Sequence, residues 1–276
     1  MNADLHCHST VSDGWLTPAE VVRRAAANGV TLLALTDHDE VGGVDEAIDE
    51  AARCGLALAP GVEVSVSFRD ETVHIVGLGI DHRHPQLVAG LAGVRSGRGA
   101  RAARIGEALA AVGIHGALEG ARRFARNPEL VSRAHFARFL VKSGLMPDVA
   151  TVFRYYLARG KPGFVEHEWA RLEDAVGWIV AAGGIAVVAH PARYRLSDAE
   201  MDQLFDRFTA CGGEGVEVVS GAHSDAEAAR FATVARRRGL LASRASDFHG
   251  EKESAVDLGR CPPLPPDLVP VWSRLV

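Results

Sequence analysis

Cysteine is scarce and unpaired in this chain. Cys7, Cys54, Cys211 and Cys261 are scattered, with no Cys-x-x-Cys pair, which argues against both a disulfide framework and a zinc ribbon. No uncharged apolar run reaches membrane-spanning length, and the opening Met1-Asn2-Ala3-Asp4-Leu5-His6 lacks the basic and apolar character of a secretion signal. The expected compartment is therefore the cytoplasm, with no membrane partner. Aromatic residues are few, at 6%, so an ordered stacking platform for a long single strand of nucleic acid is not expected. Excess positive charge is absent too: a formal net charge of −5 gives no global attraction to polyanions or anionic bilayers. Internal repeats and low-complexity segments are also missing, and no protein partner is implied.

Apolar residues make up 47% of the 276 positions, enough for one large α/β barrel or two ordinary domains. Strand and helix signals alternate through most of the chain. Thr17-Pro18-Ala19-Glu20 offers an N-cap, a proline in the first turn and an acid to complement the helix dipole; Asn28-Gly29 is a stop signal. Apolar strands are expected at Val30–Leu35, from Leu56–Ala59 onward to Glu63, at Thr72–Gly77, Gly163–Val165, Gly184–Ala189, Gly215–Val219 and Leu240–Ser243. Helices are expected near 42–54, 172–182, 198–211 and 224–238. Such alternation argues for a parallel sheet buried on both faces. The stretch from about Pro85 to Leu157 is different, with helical periodicity punctuated by Gly113, Gly116, Gly120 and Gly144. It reads as a helical insertion, which divides the chain into residues 1–94, 95–158 and 159–276.

The chemistry-bearing residues recur where strands end. In Asp4-Leu5-His6-Cys7-His8, alternate side chains share a face, so His6 and His8 point together while Cys7 points into the core. Asp13 follows in the next loop. Further along come His38, Glu63, His190, Asp247 and His249 at strand ends, with His74 inside a short strand. The carboxyl ends of strands in parallel α/β folds converge on one face. Imidazoles and carboxylates gathered there point to a divalent metal centre. Asp37 and Asp39 flank His38 and are read as orienting it or capping the next helix. His82 and His84 fall in a polar turn, His115 and His167 have no evident partner, and His223 is a candidate for the site mouth.

Six ordered motifs carry a family resemblance: His6-Cys7-His8-Ser9, Thr36-Asp37-His38-Asp39, Gly61-Val62-Glu63, His74, His190-Pro191 and Ser246-Asp247-Phe248-His249. The sequence resembles the PHP family of metal-dependent phosphoesterases, which implies a distorted (β/α)7 barrel of the PHP type, here with a small helical insertion. Arg133-Ala134-His135-Phe136-Ala137, Gly160-Lys161-Pro162 and Ala189–Tyr194 are similar to the branch that removes the 3′-phosphate of 3′,5′-nucleoside bisphosphates. Members of that branch also degrade short 5′-phosphorylated RNA from the 5′ end. By position, the resemblance implies three metal ions. His6, His8, Glu63 and Asp247 would hold one, Glu63 with His74 and His190 a second, and Asp13, His38 and His249 the third. Every ligand position carries the expected residue type. The resemblance favours Mn²⁺, while the ligand types equally allow Fe²⁺ or Zn²⁺. A metal-bridging hydroxide is the implied nucleophile; no general acid is assigned.

A substrate with two phosphates needs cations besides the metals. Arg95, Arg98, Arg101 and Arg104 recur at i, i+3 spacing on one helical face. Arg98 and Arg101 are candidate phosphate contacts, with a merely solvated basic face as the other reading, and the resemblance to the branch adds Arg133, Lys161 and Arg193. Guanidinium groups suit this role because they bind phosphate through paired hydrogen bonds. Two other readings stand beside this one: a phosphomonoesterase of another PHP branch, of the histidinol-phosphate phosphatase type, and a catalytically silent PHP module that only binds.

Overall fold

The computed structural model describes residues 1–275, which fold around a seven-stranded sheet whose strand order follows the chain. The strands are β1 (Ala3–Asp4), β2 (Leu32–Leu35), β3 (Ala57–Phe68), β4 (Glu71–Leu78), β5 (Ile185–Val188), β6 (Gly215–Ser220) and β7 (Leu241–Ala245). The sheet curls until its edges meet. Leu5 N donates to Arg244 O at 3.1 Å, Asp247 N to His6 O at 2.9 Å, and His8 N to Phe248 O at 2.9 Å. A nearly closed barrel results, which satisfies the edge backbone groups that an open sheet would expose.

The sheet is not all parallel, as the alternation pattern suggested. β4 runs antiparallel to both β3 and β5. No helix separates β3 from β4; a tight turn at Arg69-Asp70 does, with Arg69 at φ 52°. The reversal brings His74 beside Ser65, two residues beyond Glu63 on the neighbouring strand. A residue from within β4 thereby reaches the same barrel end as the residues that follow the parallel strands.

Around the barrel lie α1 (Pro18–Ala27) and α2 (Val44–Cys54), then α3 (Pro85–Ser96), α4 (Arg98–Ala110), α5 (Ala117–Arg122), α6 (Arg133–Lys142) and α7 (Val149–Val152). The chain continues through α8 (Leu172–Ala181), α9 (Asp198–Ala210) and α10 (Asp225–Arg238). Thr17 and Glu20 form the capping box that starts α1. The expected strand at Gly163–Val165 does not form. That segment is irregular, and only Ala170 bridges to Val66 at the margin of β3. The Arg95–Arg104 face is also divided, because α3 ends at Ser96 and α4 begins at Arg98. Gly97 stands between them, where a Cβ would lie 2.5 Å from the His167 ring.

Three clusters of apolar side chains matter for the site. Leu87 and Leu91 of α3 join the core of the main sheet, whereas Ala102, Ile105, Leu109, Phe136, Leu140, Val152 and Leu157 form a separate cluster within the helical segment. Inside the barrel, Ala3, Leu5, Ala34, Ala59, Val187 and Ala189 pack against Val271 from the closing turn. That plug fills one end. The other end, where His6, His38, His190 and Asp247 emerge from the strands, faces the helical segment.

Candidate metal centre

All the candidate ligands except Asp13, which lies in the loop before α1, sit in a strand or in the few residues that follow one. His6 and His8 follow β1, His38 follows β2, Glu63 lies in β3, His74 in β4, His190 follows β5, and Asp247 and His249 follow β7. His190 sits at φ 26° immediately before Pro191, and Asp247 at φ 54°. Non-glycine residues in that region store roughly 1–3 kcal/mol of strain each, a cost that clusters at functional sites.

The hub is the buried Glu63 carboxylate. Its Oε1 lies 2.8 Å from His74 Nδ1 and 3.0 Å from His190 Nε2. Its Oε2 lies 2.8 Å from His38 Nδ1, 3.1 Å from His6 Nε2 and 3.3 Å from His8 Nε2. Asp247 Oδ1 is 3.3 Å from His8 and 3.5 Å from His6, and Asp13 Oδ1 is 3.4 Å from His249 Nε2. All the expected ligand residues are thus gathered at one barrel end. Donor atoms come within 4.8 Å of one another in overlapping sets: His8, Asp13, His38 and His249; His6, His190 and Asp247; His6, His8 and Glu63; and His38, Glu63 and His74. His8 therefore neighbours the Asp13 set as well as its expected partners.

These residues fit divalent cations. Asp13 Oδ1, His38 Nδ1, Glu63 Oε2 and His74 Nδ1 are buried and make no hydrogen bond. Such atoms are costly unless another group satisfies them. The electrostatics agree. Burial pushes the Glu63, Asp13 and Asp247 carboxyls up, but the surrounding imidazoles outweigh it and hold all three well below the usual carboxylate range. Burial alone would depress His38, yet the Glu63 and Asp13 carboxylates raise it to about 9. His8 is pushed down to about 3 by burial and by His249 and His38. With no metal bound, protons on the raised imidazoles would balance the carboxylates, a role that metal ions would take over on displacing them.

Several supporting residues carried no motif signal. Glu217 Oε1 lies 2.7 Å from His6 Nδ1, and its Oε2 accepts from His190 N at 2.6 Å. That arrangement fixes the ring that presents Nε2 inward. The only hint in sequence is an acid in the apolar strand Val216-Glu217-Val218-Val219. Ser132 Oγ donates to Asp13 Oδ2 at 3.0 Å. Asp37 neither orients His38 nor caps α2: it accepts from Ser9 N, Ser9 Oγ and Ser12 Oγ, which shapes the His8–Asp13 loop. Asp39 accepts from Ser65 N and Oγ and from Arg98. His223 does not line the mouth; it stacks on Phe231 and contacts Val218 O. Cys7 is buried, as its alternate position requires. His82 pairs with Asp45 on the surface.

A cavity of about 440 Å³ opens between this cluster and the helical segment, lined by Asp13, His38, His74, His190, Asp247 and His249 on one side and Arg133, Val149 and Phe153 on the other. The candidate cations divide sharply. Arg98 lines the cavity but is bound to Asp39 and Ser65. Arg193 lines it and donates to Asp247 Oδ2 at 2.8 Å. Arg101 and Arg133 line it with no carboxylate within ion-pair distance among the described residues. Among the described residues Arg101 donates to Val165 O and lies over the Trp169 face, 5.1 Å from its ring centre. Burial first, then Arg133, Arg98 and Arg104, pull its pKa down to about 9. Lys161 is outside the cavity lining and exposed, in the Gly160–Gly163 turn.

A family model described as the PHP domain matches residues 4–219. A 3′,5′-nucleoside bisphosphate phosphatase from Chromobacterium violaceum is 55% identical over 99% of this chain and 96% of its own length. A 5′-3′ exoribonuclease from Escherichia coli is 44% identical over 98% of this chain and 92% of its own. Among solved structures, a sulfate-bound, metal-free amidohydrolase from Chromobacterium violaceum superposes with a TM-score of 0.97 at 55% identity, covering 100% of this chain and 96% of that one.

Proposed function

The chain belongs to the PHP domain family, and from that premise we propose that it is a metal-dependent phosphohydrolase acting on nucleotides. Its substrates are 3′,5′-nucleoside bisphosphates, from which it removes the 3′-phosphate, and short 5′-phosphorylated oligoribonucleotides, which it degrades 5′ to 3′. The observation that carries this reading is one cavity shared by the carboxylate–imidazole cluster and two buried or half-buried arginines, Arg101 and Arg133, that have no carboxylate partner among the described residues. A phosphoester bound at the cluster leaves a second phosphate free to reach those guanidinium groups.

We assign His6, His8, Glu63 and Asp247 to one ion, Glu63, His74 and His190 to a second, and Asp13, His38 and His249 to a third, with Mn²⁺ as the resident metal. When bound, such ions supply Lewis acidity, lower the pKa of water to the neutral range and neutralise phosphoryl charge. The chain's own residues do the rest. Glu217 and the Asp247 carbonyl fix the rings of His6 and His249. Arg193 gives the cluster a guanidinium that can exchange its Asp247 oxygen for a phosphoryl oxygen. Arg101 and Arg133 grip the distal phosphate, and Trp169 holds the plane of Arg101. Arg98, bound to Asp39, joins the helical segment to the barrel rather than contacting substrate. Residues 95–158 act as a cap that completes the cavity, between barrel parts 1–94 and 159–276.

The test is phosphate release from adenosine 3′,5′-bisphosphate, histidinol phosphate and a 5′-phosphorylated trinucleotide, each with Mn²⁺ and with chelator. The bisphosphate and trinucleotide should turn over faster, and chelation should abolish both. Faster turnover of histidinol phosphate sinks the substrate assignment. Metal uptake without any turnover marks a silent binding module.

A further inference from the structure

Arg138 projects from α6 and is only 4% exposed. Its Nε and Nη2 donate to the two oxygens of Glu253 at 2.8 and 2.7 Å, and Nη2 also donates to the backbone oxygen of Asp13. The guanidinium lies over the Trp15 ring, 4.6 Å from its centre. Trp15 Nε1 closes the cluster by donating to Glu253 Oε1 at 2.7 Å, and Trp15 N donates to His249 O at 2.8 Å. The loop after His249 is fastened in turn, because His249 N donates to Ser254 Oγ at 2.7 Å. At the start of the same helix, Ser132 Oγ donates to Asp13 Oδ2 at 3.0 Å and, as N-cap, accepts from Ala134 N.

One helix of the insertion therefore touches both loops that carry Asp13 and His249, two residues remote in sequence. A buried arginine is costly unless its charge is fully engaged, and here every partner lies on one of those loops. We infer that α6 is a working part of the metal centre: Arg138 and Ser132 are positioning residues for the ion held by Asp13, His38 and His249, so that retention of this ion and docking of the cap stabilise each other. This inference rests on the three-ion assignment above. Partners that orient ligands commonly change metal affinity by about 10–100-fold when removed. Linkage makes the effect reciprocal: if docking tightens the ion, the ion must tighten docking. A purely structural latch between cap and barrel does not have that second property.

The experiment is a Mn²⁺ titration of the full chain after EDTA stripping. Bound metal per chain is read by equilibrium dialysis, and amide exchange is followed over residues 134–142. The wild type should bind three ions and show slower exchange in α6 as the last site fills. In Arg138→Gln one ion should bind about 10–100-fold more weakly and α6 exchange should stop responding to Mn²⁺; Arg138→Lys should restore part of both. Ser132→Ala leaves the Arg138–Glu253 latch in place, so it carries the test if Arg138→Gln fails to fold, with a weakened single ion expected again. Unchanged affinity for all three ions and undiminished Mn²⁺-dependent protection in the folded variants overturn the inference. A wild type that binds fewer than three ions contradicts the three-ion assignment itself, whatever the variants do, and takes this inference with it.

Discussion

The two walls of the cavity are built on different terms. On the barrel side, each functional group follows or lies in a strand, and the hydrogen-bonded backbone dictates where it points. On the helical side, the groups sit on short helices, and their roles depend on what lies opposite. Arg98 and Arg101 make the contrast concrete. They are one turn apart on α4, similarly buried, and both rest on Trp169. Asp39 neutralises Arg98, whereas Arg101 has no carboxylate partner among the described residues. The same residue type in one helix is thus neutralised as a joint at one position and, at the next turn, faces the cavity without a carboxylate among the described residues, as the proposed anion receptor would.

The barrel wall should be the more sensitive. Glu63→Gln removes the carboxylate that faces five imidazoles. It should cost several kcal/mol of transition-state stabilisation, on the order of 10³-fold in kcat, read by phosphate release under saturating Mn²⁺. A fall of less than tenfold breaks the view that Glu63 is the hub. Arg98→Met should act on stability instead, because it strands a buried Asp39 carboxylate: roughly 3–5 kcal/mol is expected from denaturant unfolding. A large rise in KM with unchanged stability would make Arg98 a receptor after all.

Protonation sharpens the comparison further. In the metal-free protein His38 titrates at about 9, against an unfolded value near 6.5. A raised imidazole stabilises the metal-free fold fully below about 6.5, and that contribution is lost as pH rises through about 9. Metal needs the neutral ring, so Mn²⁺ should bind more tightly as pH rises across the same window and release protons at pH 7. Calorimetry in buffers of unlike ionisation heat reads that release; its absence contradicts the proposed charge balance. Smallest of all, Lys161→Ala should alter KM, kcat and stability by no more than about 0.5 kcal/mol each, the usual range for an exposed site. A larger KM effect returns Lys161 to the substrate path.

The barrel wall was legible in the sequence for a physical reason. Strand ends in such folds converge, so His6, His8, His38, Glu63, His190, Asp247 and His249 could be gathered without knowing any side-chain contact. His74 could be counted with the series but sat inside a strand rather than at its end, because the pattern gave no sign that β4 runs antiparallel after the Arg69-Asp70 turn. Glu217 was hidden since a buried acid in an apolar strand has no pattern of its own. The helical wall was harder still. Spacing put Arg95 to Arg104 on one face, but Gly97 divides them, and spacing cannot show that Asp39 lies opposite one arginine and none opposite another. Arg138 and Ser132 are invisible for the same reason: their meaning lies in Asp13 and Glu253, more than a hundred residues away.

The most direct measurement of the central claim is kcat/KM for adenosine 3′,5′-bisphosphate relative to adenosine 3′-monophosphate, in the wild type and in Arg133→Ala. Charge-assisted hydrogen bonds to the distal phosphate are worth about 1.5–3 kcal/mol. The wild type should therefore prefer the bisphosphate by roughly 10–100-fold, and the variant should lose most of that preference through KM. An equal loss on both substrates, or a preference that survives, contradicts the assignment of the cap arginines as receptors for the second phosphate.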